Sequence, residues 1–545
     1  MQKSKITLIT LFLVMLLSLF LNIYKKDTVP LCFNADEAAF GYNAYSILKT
    51  GKDEYGSAFP LRLKSFGDFK MPLYSYLSTP FIALFGLNET STRMLNTVLA
   101  FLLPLAVFLL ARELFASNRA ALIASFLSAI SLGLGSIGRQ AHEGYLVVFL
   151  LVLTTYFFLR LLRTDVLIDK IMFFVFLTVS MFSYQSGRVF AVFFFLAALI
   201  YFLSSREIAS DSTIIRLKRK VSLPFLFVFF LIVVLAGSVD IMYKPTRVSN
   251  LLFFNNEGFT MAIQELRIEG GARLLYNKAT EGIRYLINEH LSYFSPQFLV
   301  TKGDENPRFG LPGMTPITVI EYLFFFIGIY YLFKLKYSHR YFILFLALVS
   351  ALPASLSWAH YSLTRSLFLL IPIILIASFG IDKAYELIPK HKKLLFLAVL
   401  IPTLIIFSFY SWDFYLNHYT KRSITVKSWQ CGYKELAAFV KENYDKYDRF
   451  YITKENGQPY IFLLFYLQYS PDKYQKIASL SKPDDYGFGQ VEKFDKFVFS
   501  VTSGKSAASY AVIGFSHDME SFDQSKIKKI AVNGVEIFQI YENQR

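Results

Sequence analysis

An adjacent acid pair stands soon after the first apolar run, in Phe33-Asn34-Ala35-Asp36-Glu37-Ala38-Ala39-Phe40. A carboxylate within hydrogen-bond reach of a hydroxyl can act as a general base, and the same pair would also suit the positive end of a helix dipole. Further along, Phe66-Gly67-Asp68-Phe69-Lys70-Met71-Pro72 sets a lysine before a short apolar stretch. Its ammonium could hold an anion, or its stem could lie along apolar surface with the charge in water. Arg139, His142 and Glu143 fall together in Gly138-Arg139-Gln140-Ala141-His142-Glu143-Gly144, either a second acidic or ligand site or a short polar turn. Lys302 and Arg308 belong to a Gly- and Pro-rich turn cluster, and Arg365 closes His360-Tyr361-Ser362-Leu363-Thr364-Arg365 at the end of an apolar run. Guanidinium groups match phosphate oxygens in pairs. Arg365 is the stronger candidate, since little but an anion or a carboxylate could pair it there.

These residues have to be positioned by elements that sit in lipid. Of the 545 residues 54% are hydrophobic and 18% charged, with 58 Phe and 35 Tyr, against about 25% charged residues in a soluble domain. Mean hydropathy is +0.42. A helix of about 17 residues or more spans roughly 30 Å of hydrocarbon, and about eleven runs qualify: 6–23, 93–112, 119–137, 145–163, 171–187, 189–204, 221–240, 317–333, 341–357, 365–380 and 394–411. The first ends without a small-x-small cleavage site, so it reads as a retained span and not a signal peptide.

With the N-terminus inside, the alternate short loops each bring two to five Lys or Arg to the cytoplasm, whereas the opposite short loops hold only Arg139, Arg188 and Arg365. That asymmetry sets orientation. The net charge of +16 is therefore topological, and nucleic-acid binding is not expected. The long segments 24–92, 241–316 and 412–545 fall outside. Residues 72–86 are apolar but too short to span, which predicts an interfacial helix with Tyr74 and Tyr76 at headgroup level. The tail reads as a small α/β domain: helices near 433–445 and 457–469, strands at 449–453 and 510–515, and a hairpin around Asn533-Gly534. Cys32 and Cys431 share the outer side and could approach one another. Free buried cysteine is common, so the expectation is that they stay unpaired.

The joint pattern, an Asp-Glu after the first span and Lys70-Met71-Pro72-Leu73-Tyr74 before a short amphipathic helix, resembles membrane glycosyltransferases of the GT-C fold, in particular glycosyltransferase family 39. That family includes the protein O-mannosyltransferases and lipid A aminoarabinose transferases. The resemblance covers roughly residues 1–411. It implies inverting transfer of a sugar from a polyprenyl monophosphate to an acceptor hydroxyl of protein, lipid or polysaccharide at the outer face of the cell membrane. Asp36 would match the catalytic base and Glu37 its motif neighbour, and Lys70 would match the cation on the donor phosphate. Aminoarabinose transferases carry an arginine three positions after the aspartate, where this chain has Ala39, so the likeness does not extend to that donor.

Elementary chemistry agrees with these residue types. Glycosidases need a second carboxylate because an alkoxide leaves poorly without a proton, whereas a lipid phosphate leaves as a stable anion that Lys or Arg can stabilise. No cofactor is required, although Asp36, His142 and Glu143 could complete a divalent-metal site. No Gly-x-Gly-x-x-Gly or Walker motif is present. A transporter or flippase of a lipid-linked saccharide is the alternative, but transporters place their binding groups within broken spans, and here the polar groups cluster in loops on one side. The expected architecture is a polytopic α-helical membrane region, 1–411, followed by an extracytoplasmic α/β domain, 412–545.

Overall fold

The computed structural model describes residues 2–66, 68–207, 221–243, 252–455, 457–480, 491–501 and 507–544. Arg216, Lys218, Arg219 and Lys220, on which the sidedness argument leans, lie outside the described residues. Each of the eleven apolar runs is helical over most of its length, although 119–137 is broken at Ser131 and 171–187 leaves the helix after Met181. In chain order the helices down to the long external loop are α1 Gln2–Ile23, α2 Ala35–Thr50, α3 Leu73–Phe85, α4 Glu89–Phe115, α5 Asn118–Ile130, α6 Leu132–Gly138, α7 Glu143–Thr164, α8 Leu167–Met181, α9 Ser186–Glu207 and α10 Leu223–Tyr243. In that loop lie α11 Glu257–Ile268 and α12 Lys278–Ser292, followed by α13 Val319–Lys334, α14 Arg340–Ser355, α15 Leu370–Leu387 and α16 Lys393–Asp413. Among the described residues six helices are long and apolar enough to cross a membrane, or seven if α5 and α6, bent by 55°, form one span.

The bend has a local cause. The Ser131 hydroxyl bonds to the Pro316 carbonyl (3.0 Å) and caps Leu134 N–H (3.3 Å), so the chain restarts as a new helix. Helices α13 and α15 touch backbone to backbone at Gly328 and Gly380. A Cβ on Gly328 would lie 2.1 Å from the Ile376 carbonyl oxygen, and such close approach suits apolar helices that have no hydrophobic drive toward one another in lipid. At the end of the bundle away from Asp36, ion pairs join the turns: Arg119 with Asp382, Arg163 with Glu113 (2.5 Å) and Lys170 with Asp165 (2.6 Å).

Helix α2 begins with a capping box, in which the Asn34 side chain accepts from Glu37 N–H (3.1 Å) and the Glu37 carboxylate accepts from Asn34 N–H (3.3 Å). The acid pair therefore is a helix start, whatever else it does. Strands β1 (Leu63–Ser65) and β2 (Asp68–Lys70) form an antiparallel hairpin that ends on Lys70. The interfacial reading of α3 needs one correction: Tyr74 is fully buried, its hydroxyl donating to the Thr92 carbonyl (3.1 Å), so it faces protein and not headgroups.

The tail forms a seven-stranded sheet in the order β4-β5-β6-β3-β7-β9-β8, with β3 (Arg449–Ile452) parallel to both β6 (Phe497–Val498) and β7 (Tyr510–Gly514). Strands β8 (Ile527–Val532) and β9 (Val535–Asn543) pair around Asn533 and Gly534, both at positive φ as a type I′ turn requires. The short strands β4 (Ser479–Leu480) and β5 (Val491–Phe494), like β6, have no counterpart among the expected elements. Helices α17 (Tyr433–Glu442) and α18 (Pro459–Tyr466) match the expected tail helices.

A single hydrophobic cluster runs from Phe33, Ala38 and Tyr42 of the first loop into Trp429, Phe462 and Phe538 of the tail. The expectation of unpaired cysteines is corrected here. Cys32 and Cys431 form a disulfide with Cα atoms 5.4 Å apart, across 399 residues of sequence.

Candidate functional site

The ends of several helices and the loops between them enclose a cavity of about 930 Å³. Its walls come from Asp36 at the start of α2, Phe69 and Lys70 at the end of β2, His142 and Glu143 at the start of α7, the loop Asp304 to Phe309, and the segment Ser357 to Arg365. Six of the nine residues singled out in the sequence, Asp36, Lys70, His142, Glu143, Arg308 and Arg365, thus open on one space.

Lys70 Nζ donates to Asp36 Oδ1 at 2.6 Å. The Lys70 side chain is 8% exposed and that of Asp36 47%. The ammonium lies 4.2 Å from the Phe66 ring centroid and 5.2 Å from that of Phe40, a setting that holds a cation in place without neutralising it. The hairpin and the α2 cap thereby bring a carboxylate and an ammonium to one wall, 34 residues apart in the chain.

Glu37 and Arg139 do not line the cavity. Glu37 is 1% exposed and receives Arg93 Nε and Nη2 (each 2.8 Å) and Ala141 N–H (2.8 Å). It ties α2 and α4 to the loop that carries His142. Arg139 is fully buried and donates to the carbonyls of Leu21 (2.5 Å), Tyr24 (2.7 Å) and Val29 (2.6 Å). It closes off the C-terminal end of α1, a common use of arginine.

The other walls are anchored with equal care. His142 caps α7, its Nδ1 accepting from Gly144 N–H at 2.9 Å. Arg308 donates from Nε to the Ser428 carbonyl (3.2 Å), and Arg365 donates to the Ser357 hydroxyl. Asp304 accepts from Asn306 N–H (2.7 Å) and Leu363 N–H (2.6 Å), which bolts the two loops together, and burial pushes its carboxyl up to about 7. Lys302 does not line the cavity. Sequence reasoning missed Asp304, although it sits in the turn cluster already marked, and it missed His360, whose Nδ1 lies 2.6 Å from Glu289 Oε2.

The arrangement can bind an anion through Lys70, Arg308 and Arg365 and remove a proton through Asp36. Among the described residues the three-ligand group whose donor atoms converge is Glu455, His517 and Asp518 on the tail, whereas Asp36, His142 and Glu143 do not converge, and Asp36 is engaged by Lys70.

Residues 70–236 match a family model described as dolichyl-phosphate-mannose-protein mannosyltransferase. No curated protein matches the sequence. The structure is similar to ArnT from Cupriavidus metallidurans bound to undecaprenyl phosphate, with a TM-score of 0.55, 11% identity and coverage of 99% of this chain and 98% of that one. The apo state of the same protein gives 0.54 at 10% identity, again over 99% and 98%. The apo oligosaccharyltransferase of Archaeoglobus fulgidus gives 0.50 at 14% identity, over 84% of this chain and 63% of that one, so the present chain spans less than two thirds of the archaeal protein's length. The fold is that of the GT-C membrane glycosyltransferases, a multi-pass helical region with a C-terminal β-sheet.

Proposed function

We propose that this chain transfers a sugar from a polyprenyl-phosphate donor to the hydroxyl of an acceptor, with inversion at the anomeric carbon. The observation that carries the reading is that the Asp36 carboxylate and three cations, Lys70, Arg308 and Arg365, open on the same cavity, which Glu143, Asp304 and Glu305 also line. The undecaprenyl phosphate named for ArnT of Cupriavidus metallidurans supports the lipid class of the donor.

In this mechanism the donor phosphate competes with Asp36 for the Lys70 ammonium. Drawing that proton donor away turns the Asp36 carboxylate to the acceptor, whose hydroxyl proton it accepts. The oxygen attacks the anomeric carbon from the face opposite the phosphate, and the C–O bond to phosphate breaks with its electron pair going to the phosphate oxygen. The leaving group needs no proton, because Lys70 and the two arginines stabilise its growing charge. Glu37 and Arg93 hold the loop and take no part in proton transfer. The same reading places residues 24–92, 241–316 and the tail on the outer side of the cell membrane, with the N-terminus inside.

Purified protein given undecaprenyl-phosphate sugars and a hydroxyl acceptor should form a new glycosidic bond detectable by mass spectrometry. Asp36→Asn should keep donor binding and lose at least the 10²–10⁴-fold that a positioned base contributes. A chain that moved the lipid across a bilayer and formed no product would be a flippase. Undiminished transfer by Asp36→Asn would reduce the acid pair to a helix cap.

A further inference from the structure

The segment Ser357 to Arg365 contributes more to the cavity than the Arg365 guanidinium. His360 lies in its middle, and His360 Nδ1 is 2.6 Å from Glu289 Oε2 on α12, with Glu289 itself 7% exposed. With Glu289 as the partner of Nδ1, the neutral ring that donates from Nδ1 leaves the Nε2 lone pair as an acceptor. His142 is set the other way: its Nδ1 accepts from Gly144 N–H, which puts the ring proton on Nε2. The two imidazoles of the cavity therefore present one acceptor and one donor, each fixed by a partner behind it.

Two residues before His360, Trp358 lines the same cavity and is 51% exposed. An indole beside a polar pair whose tautomer is fixed matches a ligand with an apolar face and hydroxyl edges. The phosphate cation Arg365 lies on the same segment, and Asp304 bolts that segment to the loop carrying Arg308 through Leu363 N–H. A sugar ester hangs one oxygen away from its phosphorus, so whatever holds the sugar must stand beside the residues that hold the phosphate.

We propose that His360, oriented by Glu289, and Trp358 recognise the sugar of the lipid-linked donor: His360 Nε2 accepts a hydrogen bond from a ring hydroxyl, and the indole covers the C–H face of the ring. This rests on the glycosyl-transfer reading above and names the residues that would select its sugar. Glu289 is a positioning residue, acting only through the ring of His360.

The test is equilibrium binding to the full-length protein, using undecaprenyl phosphate and its mannosyl, glucosyl and N-acetylglucosaminyl esters. Wild type should bind at least one ester more tightly than the bare lipid. His360→Phe and Trp358→Ala should each weaken that ester by about tenfold, the scale of one lost hydrogen bond or stacking contact, while bare lipid changes by less than about twofold. His360→Gln, which keeps an acceptor oxygen, should restore part of the preference, and Glu289→Gln should fall between wild type and His360→Phe. Equal weakening of bare lipid and esters would make the pair a packing feature, and unchanged affinity for every ester would place the sugar elsewhere. Either result overturns the proposal. A wild-type protein that binds none of these lipids would instead remove the glycosyl-transfer reading and this inference with it.

Discussion

Asp36 and Glu37 are chain neighbours with opposite fates, and the difference lies in which way α2 turns each side chain. Glu37 points into protein, where a bidentate arginine and a backbone N–H occupy its oxygens, and Asp36 faces the cavity, where Lys70 donates to it. Asp304 provides a titratable control over the same space. Its carboxyl, pushed up to about 7 by burial, is neutral below that pH and adds a negative charge near Arg308 and Arg365 above it. Affinity for undecaprenyl phosphate is therefore expected to weaken as pH rises from 6 to 8. In Asp304→Asn that part of the slope should vanish. The second ionisation of the lipid phosphate is common to both proteins, so the difference between the two pH profiles isolates Asp304. Parallel profiles would show that its charge does not reach the ligand.

Secondary elements meet at a second buried acid. Glu54, in the loop after α2, is fully buried, accepts from the Tyr460 hydroxyl of α18 (3.1 Å) and stands 3.4 Å from Asn43 Nδ2. Desolvation, helped by Asp53, raises its carboxyl to about 8, from an ordinary value of 4.5. Below about pH 4.5 both folded and unfolded chains hold this proton. Between there and about 8 the unfolded chain has released it while the folded chain has not, so stability falls as pH rises through that window and levels off beyond it. Glu54→Gln keeps the hydrogen bonds without the titration. Its unfolding temperature in detergent should thus exceed that of wild type by more at pH 8.5 than at pH 5, and an equal offset at both would show that Glu54 is not held protonated.

At the scale of the whole molecule, the tail and the first loop act as one body around the acid pair. The Cys32–Cys431 disulfide, the hydrogen bond from Ala35 N–H to Gln430 Oε1 (3.0 Å) and the bond from Arg93 Nη2 to the Cys32 carbonyl (2.8 Å) all fall within a few residues of Asp36. A bond across 399 residues requires both cysteines on one side of the membrane, and disulfides persist in oxidising compartments, which supports the outer face proposed above. Protein purified without reductant should run faster on a non-reducing gel than after reduction. Replacing both cysteines by serine is expected to cost roughly 2–4 kcal/mol of stability, read as a lower unfolding temperature, and to lower transfer more than donor binding, because Asp36 loses an anchor while Lys70 keeps its own. An unchanged gel mobility would show that the bond does not form.

The sequence alone was enough for the apolar helices, the α2 cap and the β8–β9 turn, because hydropathy, capping and turn chemistry act over a few residues. Charges near lipid are costly without a role or a partner, so Asp36, Lys70 and the arginines stood out before any contact was known. Tertiary structure decided the rest: that Tyr74 and Arg139 are buried, that Glu37 serves Arg93, that Cys32 finds Cys431, and that Glu289 stands behind His360. Each of these is a meeting of side chains brought together by the way helices and loops pack, and neither the 3.6-residue nor the two-residue period of the chain encodes which distant element will lie alongside.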